Sequence, residues 1–161
     1  MQSLDDEKFL RLSFDVARRA QTLGNHPFGA VLVSAAGDVL IEAGNGYLPD
    51  RDMTGHAERL LATQASKQIP QHVLGDSTLY TSAEPCAMCA GAIYWSGIGR
   101  VVYGLTERRL KQLTGDDPEN PTLDLPCRTV FAAGQRKIEV VGPLLEDEAA
   151  ALHDGIWRKH D

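Results

Sequence analysis

The sequence is short of several things. It has no apolar run of bilayer length, which excludes a transmembrane helix. It has no excess of positive charge: 16 Lys and Arg stand against 22 Asp and Glu, for a formal net charge of -6. Nucleic-acid affinity comes largely from Lys and Arg on phosphates, so this balance argues against a polynucleotide partner. The pairs Arg18-Arg19 and Arg108-Arg109 read as solvated helix faces. Cysteine occurs three times, an odd number without extracellular context, which argues against a disulfide framework. The first residues, Met1-Gln2-Ser3-Leu4-Asp5-Asp6-Glu7, are acidic and carry no apolar h-region, unlike a signal peptide. A cytoplasmic location away from membranes is expected. No repeat or linker divides the 161 residues, so a single domain over 1–161 is expected, with one sizeable core.

Periodicity is what the chain does have. Ser3 can cap a first helix whose opening turn carries Asp5, Asp6 and Glu7 at the positive end of the dipole. Phe9, Leu12, Val16, Ala20 and Leu23 follow as its apolar stripe, and Gly24 to Pro27 ends it. Strands are predicted over 28–33 and 39–44, joined by a turn at Ala36-Gly37-Asp38. Helices are predicted over 55–67, 86–95, 106–113 and 145–159, with strands over 78–82, 100–104 and 138–141. The stretch 114–126, with prolines at 118, 121 and 126, reads as a loop. Strands alternating with helices after the first hairpin imply a mostly parallel α/β sheet covered on both faces.

The chemistry lies in Gly55-His56-Ala57-Glu58 and Glu84-Pro85-Cys86-Ala87-Met88-Cys89. Cys86 and Cys89 share one helix face, near an N-terminus whose backbone N–H groups favour thiolate. With His56 they form a three-ligand set. Zinc is normally four-coordinate, so three protein ligands leave a position open, as in catalytic zinc sites. Glu58 stands two residues from His56, off that residue's helix face, and is free to move protons. A redox C-x-x-C would leave His56 and Glu58 unexplained. The order H-x-E…P-C-x-x-C is the signature of zinc-dependent nucleobase deaminases, in which the Glu is not a ligand.

These motifs, with Pro27-Phe28-Gly29-Ala30-Val31, Asn45 and Tyr80 to Tyr103, resemble the cytidine deaminase superfamily over nearly the whole chain. The resemblance is to the branch of bacterial guanine deaminases and tRNA adenosine deaminases. It implies a three-layer α/β/α sandwich around a five-stranded mixed sheet, one zinc per chain, and assembly as a homodimer. It assigns His56, Cys86 and Cys89 to the metal and Glu58 to proton transfer. By resemblance Asn45, Phe28 and the chain around Ala57 and Ser82 meet the substrate. Ala92-Ile93-Tyr94-Trp95 and Phe28 resemble the guanine type, which adds Trp95 to the candidate substrate residues. Asp116 and Asp117 stand where guanine deaminases have an acidic pair, which could accept hydrogen bonds from a purine. Val140 to Leu152 resembles the tRNA-deaminase ending instead. Trp157 either covers the pocket or packs the last helix, and Cys127 reads as a buried thiol by the pocket wall.

The leading expectation is therefore hydrolytic deamination of a free nucleobase or nucleoside, guanine first. A tRNA adenosine deaminase is the alternative enzyme. A non-catalytic zinc-binding module of the same fold is the third reading, and an intact Glu58 argues against it.

Overall fold

The computed structural model describes residues 3–157. A long helix, α1 (Asp6–Thr22), precedes a hairpin of β1 (Gly29–Val33) and β2 (Val39–Gly44). Next come α2 (Ala57–Gln68), α3 (Gln71–Gly75), β3 (Thr78–Ala83), α4 (Ala87–Ser96), β4 (Arg100–Leu105) and α5 (Glu107–Thr114). The chain continues through α6 (Cys127–Ala132), β5 (Glu139–Val141) and α7 (Glu146–Ala151). Among the described residues no helix is long and apolar enough to cross a membrane.

The five strands lie in the order β2-β1-β3-β4-β5. β3, β4 and β5 pair in parallel, while β1 pairs antiparallel with both β2 and β3. β2, β3, β4 and β5 thus all run one way, as helix-linked crossovers demand. β1 is the reversed strand in their midst, and this makes the sheet mixed.

Side chains alternate between the two faces. Ala30, Leu32, Leu79, Val101 and Tyr103 meet Leu61 of α2, Leu74 of α3, Ile93 of α4 and Phe131 of α6. Val31, Val33, Tyr80, Val102 and Leu105 meet Phe14 of α1, Leu110 of α5 and Ala149 of α7. The result is three layers. β1 is buried on both faces at every position, while the edge strand β2 buries Ile41 alone among its residues. α1 lies so close on β1 that a Cβ at Gly29 would collide with the backbone of Ser13 and Ala17. Only glycine permits that approach.

Several boundaries differ from the sequence reading. Asp5, not Ser3, caps α1, its carboxylate accepting from the Lys8 N–H at 3.1 Å. α1 buries a broader face than the single stripe: Leu10, Phe14 and Ala17 join it, while Leu23 is 74% exposed beyond the helix end. α3 and α6 fall where no helix was expected, each just after a proline, Pro70 or Pro126. The last helix ends at Ala151 rather than 159, and 158–159 lie outside the described residues.

A polar clamp ties α1 to the sheet. Arg100 donates both guanidinium nitrogens to Asp6 at 2.8 Å, and the Tyr80 hydroxyl donates to the same carboxylate at 2.7 Å. The Arg100 hydrogen bond holds Asp6 below the usual carboxylate range, with burial opposing. Asp6→Ala leaves the part-buried Arg100 and the buried Tyr80 without this acceptor and should cost about 2–4 kcal/mol at pH 7. A folded-state pKa below the unfolded one contributes stability above the unfolded value, lost as pH falls through the folded value. Urea unfolding midpoints of wild type and variant should therefore converge on acidification below about pH 4. A gap unchanged between pH 7 and pH 3 would rule out the charged clamp.

Candidate active site

Two helix starts converge at the site. His56 is the N-cap of α2 and Cys86 the N-cap of α4, and the two helices pack side by side. Pro85 sits one place before the cap rather than inside the first turn. Neither N-cap side chain makes a capping hydrogen bond, and both line the same space. Cys89, one turn into α4, is buried beneath them.

The His56 Nδ1 atom lies 3.5 Å from the Cys86 Sγ and 3.6 Å from the Cys89 Sγ. The three ligand atoms all lie within 4.8 Å of one another. Zinc bonds of about 2.3 Å to sulfur and about 2.0 Å to nitrogen, at a tetrahedral angle, separate those atoms by about 3.5 Å. His56 already stands at that spacing from both sulfurs, so the site fits one zinc. Without metal the trio shares protons. The hydrogen bond with Cys89 pulls Cys86 down to about 4, its partner Cys89 is pushed up, and the Cys86 sulfur raises His56. Metal binding requires both thiolates and a neutral imidazole, and so releases protons.

Glu58 is the second residue of α2, buried, and faces the same space. Burial pushes its carboxyl up to about 7, the Cys86 thiolate adding to the effect. A carboxyl poised near neutrality is suited to taking and returning a proton.

These groups open onto a cleft of about 760 Å³. Phe28 and Asn45, two of the candidate substrate residues, line it. The Asn45 Oδ1 accepts from the Tyr47 N–H at 3.1 Å, and its Nδ2 makes no hydrogen bond among the described residues. Ala57 is wholly buried in the core between its two neighbours, and the Ser82 hydroxyl accepts from the Gly29 N–H at 3.1 Å. Both support the site without lining it.

Three candidates are placed away from the cleft lining. Trp95 is 83% exposed, packs edge-on against Tyr94, and lies in a separate shallow depression with Gln71 and Arg136. Its place at the end of the short helix α4 turns it away from the cysteines of the first turn. Asp116 and Asp117 do not line the cleft either. Asp117 is buried in a tight turn, its carboxylate accepting from the Glu119 N–H at 3.0 Å. That turn projects the following residues, Pro118 to Leu123, over the cleft instead.

Beyond Glu58, the acidic groups that line the cleft carry no local signal in the sequence. Glu84 precedes Pro85, and its two oxygens accept from the Glu107 N–H at 3.0 Å and the Cys127 N–H at 2.9 Å. One buried carboxylate thus caps the starts of α5 and α6. Glu107 is buried, lines the cleft, and makes no side-chain hydrogen bond or ion pair among the described residues. Burial pushes it up to about 9, with the charges of Cys86, Glu58 and Glu84 adding. Glu119 reaches across the mouth to His26 at 3.4 Å. Trp157 packs on His26 and Phe28, and its indole N–H donates to the His153 Nδ1 at 3.0 Å, so it backs the cleft wall from outside the last helix. Cys127 is buried and apart from the metal group.

The model of the cytidine and deoxycytidylate deaminase zinc-binding region matches residues 3–105. A protein of Schizosaccharomyces pombe named probable cytosine deaminase is 43% identical over 152 residues, 94% of this chain and 92% of its own. A tRNA-specific adenosine deaminase of Bacillus subtilis is 36% identical over 154 residues, 96% of this chain and 89% of its own. The solved structure of guanine deaminase from Nitrosomonas europaea superposes with a TM-score of 0.76 at 26% identity, covering 94% of this chain and 84% of that one.

Proposed function

As this chain belongs to the cytidine and deoxycytidylate deaminase zinc-binding family, we propose that it hydrolyses the exocyclic amine from a free, uncharged nucleobase. The observation that carries this reading is the lining of the cleft. It holds Asp52, Glu58, Glu84, Glu107 and Glu119 and, among the described residues, no Lys or Arg. A phosphate placed there would face these acidic groups and be met by no Lys or Arg. The basic pairs noted in the sequence are occupied elsewhere. Arg18 and Arg19 bond Asp15 and Glu42, and Arg108 and Arg109 pair with Asp124 and Asp147. A neutral base fits this surface better than a nucleotide or an anticodon loop.

Zinc held by His56, Cys86 and Cys89 supplies a Lewis acid that lowers the pKa of a water towards neutrality. Glu58 takes a proton from the attacking water and gives it to the ring nitrogen beside the amino-bearing carbon. The carbon–oxygen bond forms at that carbon. Glu58 then carries the hydroxyl proton to the amine, the carbon–nitrogen bond breaks, and ammonia leaves behind a lactam. The Asn45 amide hydrogens hold a ring carbonyl, and Phe28 offers an apolar face to the ring.

Among free bases, cytosine is the first candidate, supported by the long match to the Schizosaccharomyces pombe protein. Guanine is the second, supported by the likeness to the Nitrosomonas europaea structure. Its support from Asp116, Asp117 and Trp95 falls away because none of them lines the cleft. Ammonia release from cytosine, guanine, adenine, cytidine and guanosine tests the reading, beside inosine formation in tRNA. Turnover of a free base with no inosine is expected. Inosine in tRNA with no ammonia from any free base would replace this reading with the tRNA one.

A further inference from the structure

A free lactam base presents three polar features. Its amidine edge is where the reaction occurs, and Glu58 works there. Its carbonyl needs a donor, which the Asn45 Nδ2 supplies. Its remaining ring N–H needs an acceptor. The carboxyls of the cleft differ sharply in whether they can serve. Glu84 already accepts two backbone N–H groups. Asp52 is engaged by Thr54 and Arg59. Glu119 is 57% exposed at the mouth and pairs with His26. Glu107 alone of these is more than nine-tenths buried, lines the cleft, and has no side-chain partner among the described residues. Its oxygens are not sealed in the protein, where among the described residues His153 Nε2 is the buried polar atom left without a partner, and so they are reached from the cleft. Its backbone N–H is pinned by Glu84 at the first position of α5, which fixes where the side chain starts.

Resting on the free-base reading, we propose that Glu107 accepts the ring N–H of the substrate and so selects free bases over rings substituted at that nitrogen. A carboxyl accepts from an N–H through its carbonyl oxygen in either protonation state. The ring nitrogen that bears this hydrogen in a free base bears the sugar in a nucleoside. Glu107 is therefore a specificity-determining residue. A site built to hydrogen-bond one substrate group rejects analogues lacking it, because its own buried group is left unpaired.

The test compares cytosine with 1-methylcytosine, and guanine with 9-methylguanine, in the zinc-loaded protein. Wild type should prefer the unsubstituted base of the pair it turns over. Glu107→Leu should lower kcat/KM for that base by about 10- to 100-fold and collapse the preference by a similar factor. Glu107→Gln keeps a carbonyl oxygen and should retain most of the preference. Zinc content and circular dichroism confirm that each variant is folded. A preference unchanged in Glu107→Leu overturns the proposal. Equal turnover of both members of a pair by wild type overturns it too, whether or not the variants fold. No turnover of any free base would instead overturn the free-base reading, and this proposal with it.

Discussion

Glu58→Gln should hold zinc and keep its fold while losing nearly all turnover. The amide occupies the same space but can neither take a proton from water nor return it. General acid–base groups contribute about a hundred- to ten-thousand-fold each. Glu58 is proposed to act in several proton steps, so the loss should lie at the upper end. Stability should move the other way or not at all. Burial, with the Cys86 thiolate adding, pushes this carboxyl up to about 7, which means that folding works against its charge. A neutral amide removes that cost. Single-turnover product formation and a thermal melt on the same sample separate the two effects. Activity within a few-fold of wild type would remove Glu58 from the proton path.

The second large effect concerns the metal. A Cys86→Ala, Cys89→Ala double variant keeps only His56 of the three groups that stand at zinc spacing. Altering the partners of metal ligands already costs about 10- to 100-fold in affinity. Removing two of three ligands costs more. Zinc, about one per chain in wild type, should be absent from the purified variant, and deaminase activity with it. Cys89 is fully buried, so alanine there also leaves a small cavity and a lower melting temperature. Elemental analysis after dialysis reads the first effect. Full zinc in the double variant would place the metal elsewhere.

Much of this protein was legible before any coordinates. The metal trio and Glu58 could be read because their chemistry is tied to short spacings. Two cysteines three apart at a helix start, and a histidine two residues from a glutamate, keep their meaning wherever the helices lie. The strands could be read because β1 and β4 bury nearly every position, which favours apolar runs, and because β3 carries the β-branched and aromatic Thr78, Tyr80 and Thr81. Residues 71–75 and 127–132 hid their helices because so short a turn of helix shows no period, although Pro70 and Pro126 mark both starts.

The tertiary structure decided what depends on which distant segments meet. The placement of β1 between β2 and β3 cannot be read from alternation, which fixes only that helix-linked strands run the same way. Trp95 and the pair Asp116 and Asp117 sat near the right motifs in the chain, yet a few residues of helix or turn carried them off the cleft. Glu84 and Glu107 carried no local signal at all. An isolated glutamate reads as solvated surface until the fold buries it, and here the fold sets one against two helix starts and leaves the other facing the cleft without a partner. Spacing along the chain therefore specified the metal group and set Glu58 beside it, while burial and pairing across the fold selected the other groups that line the cleft.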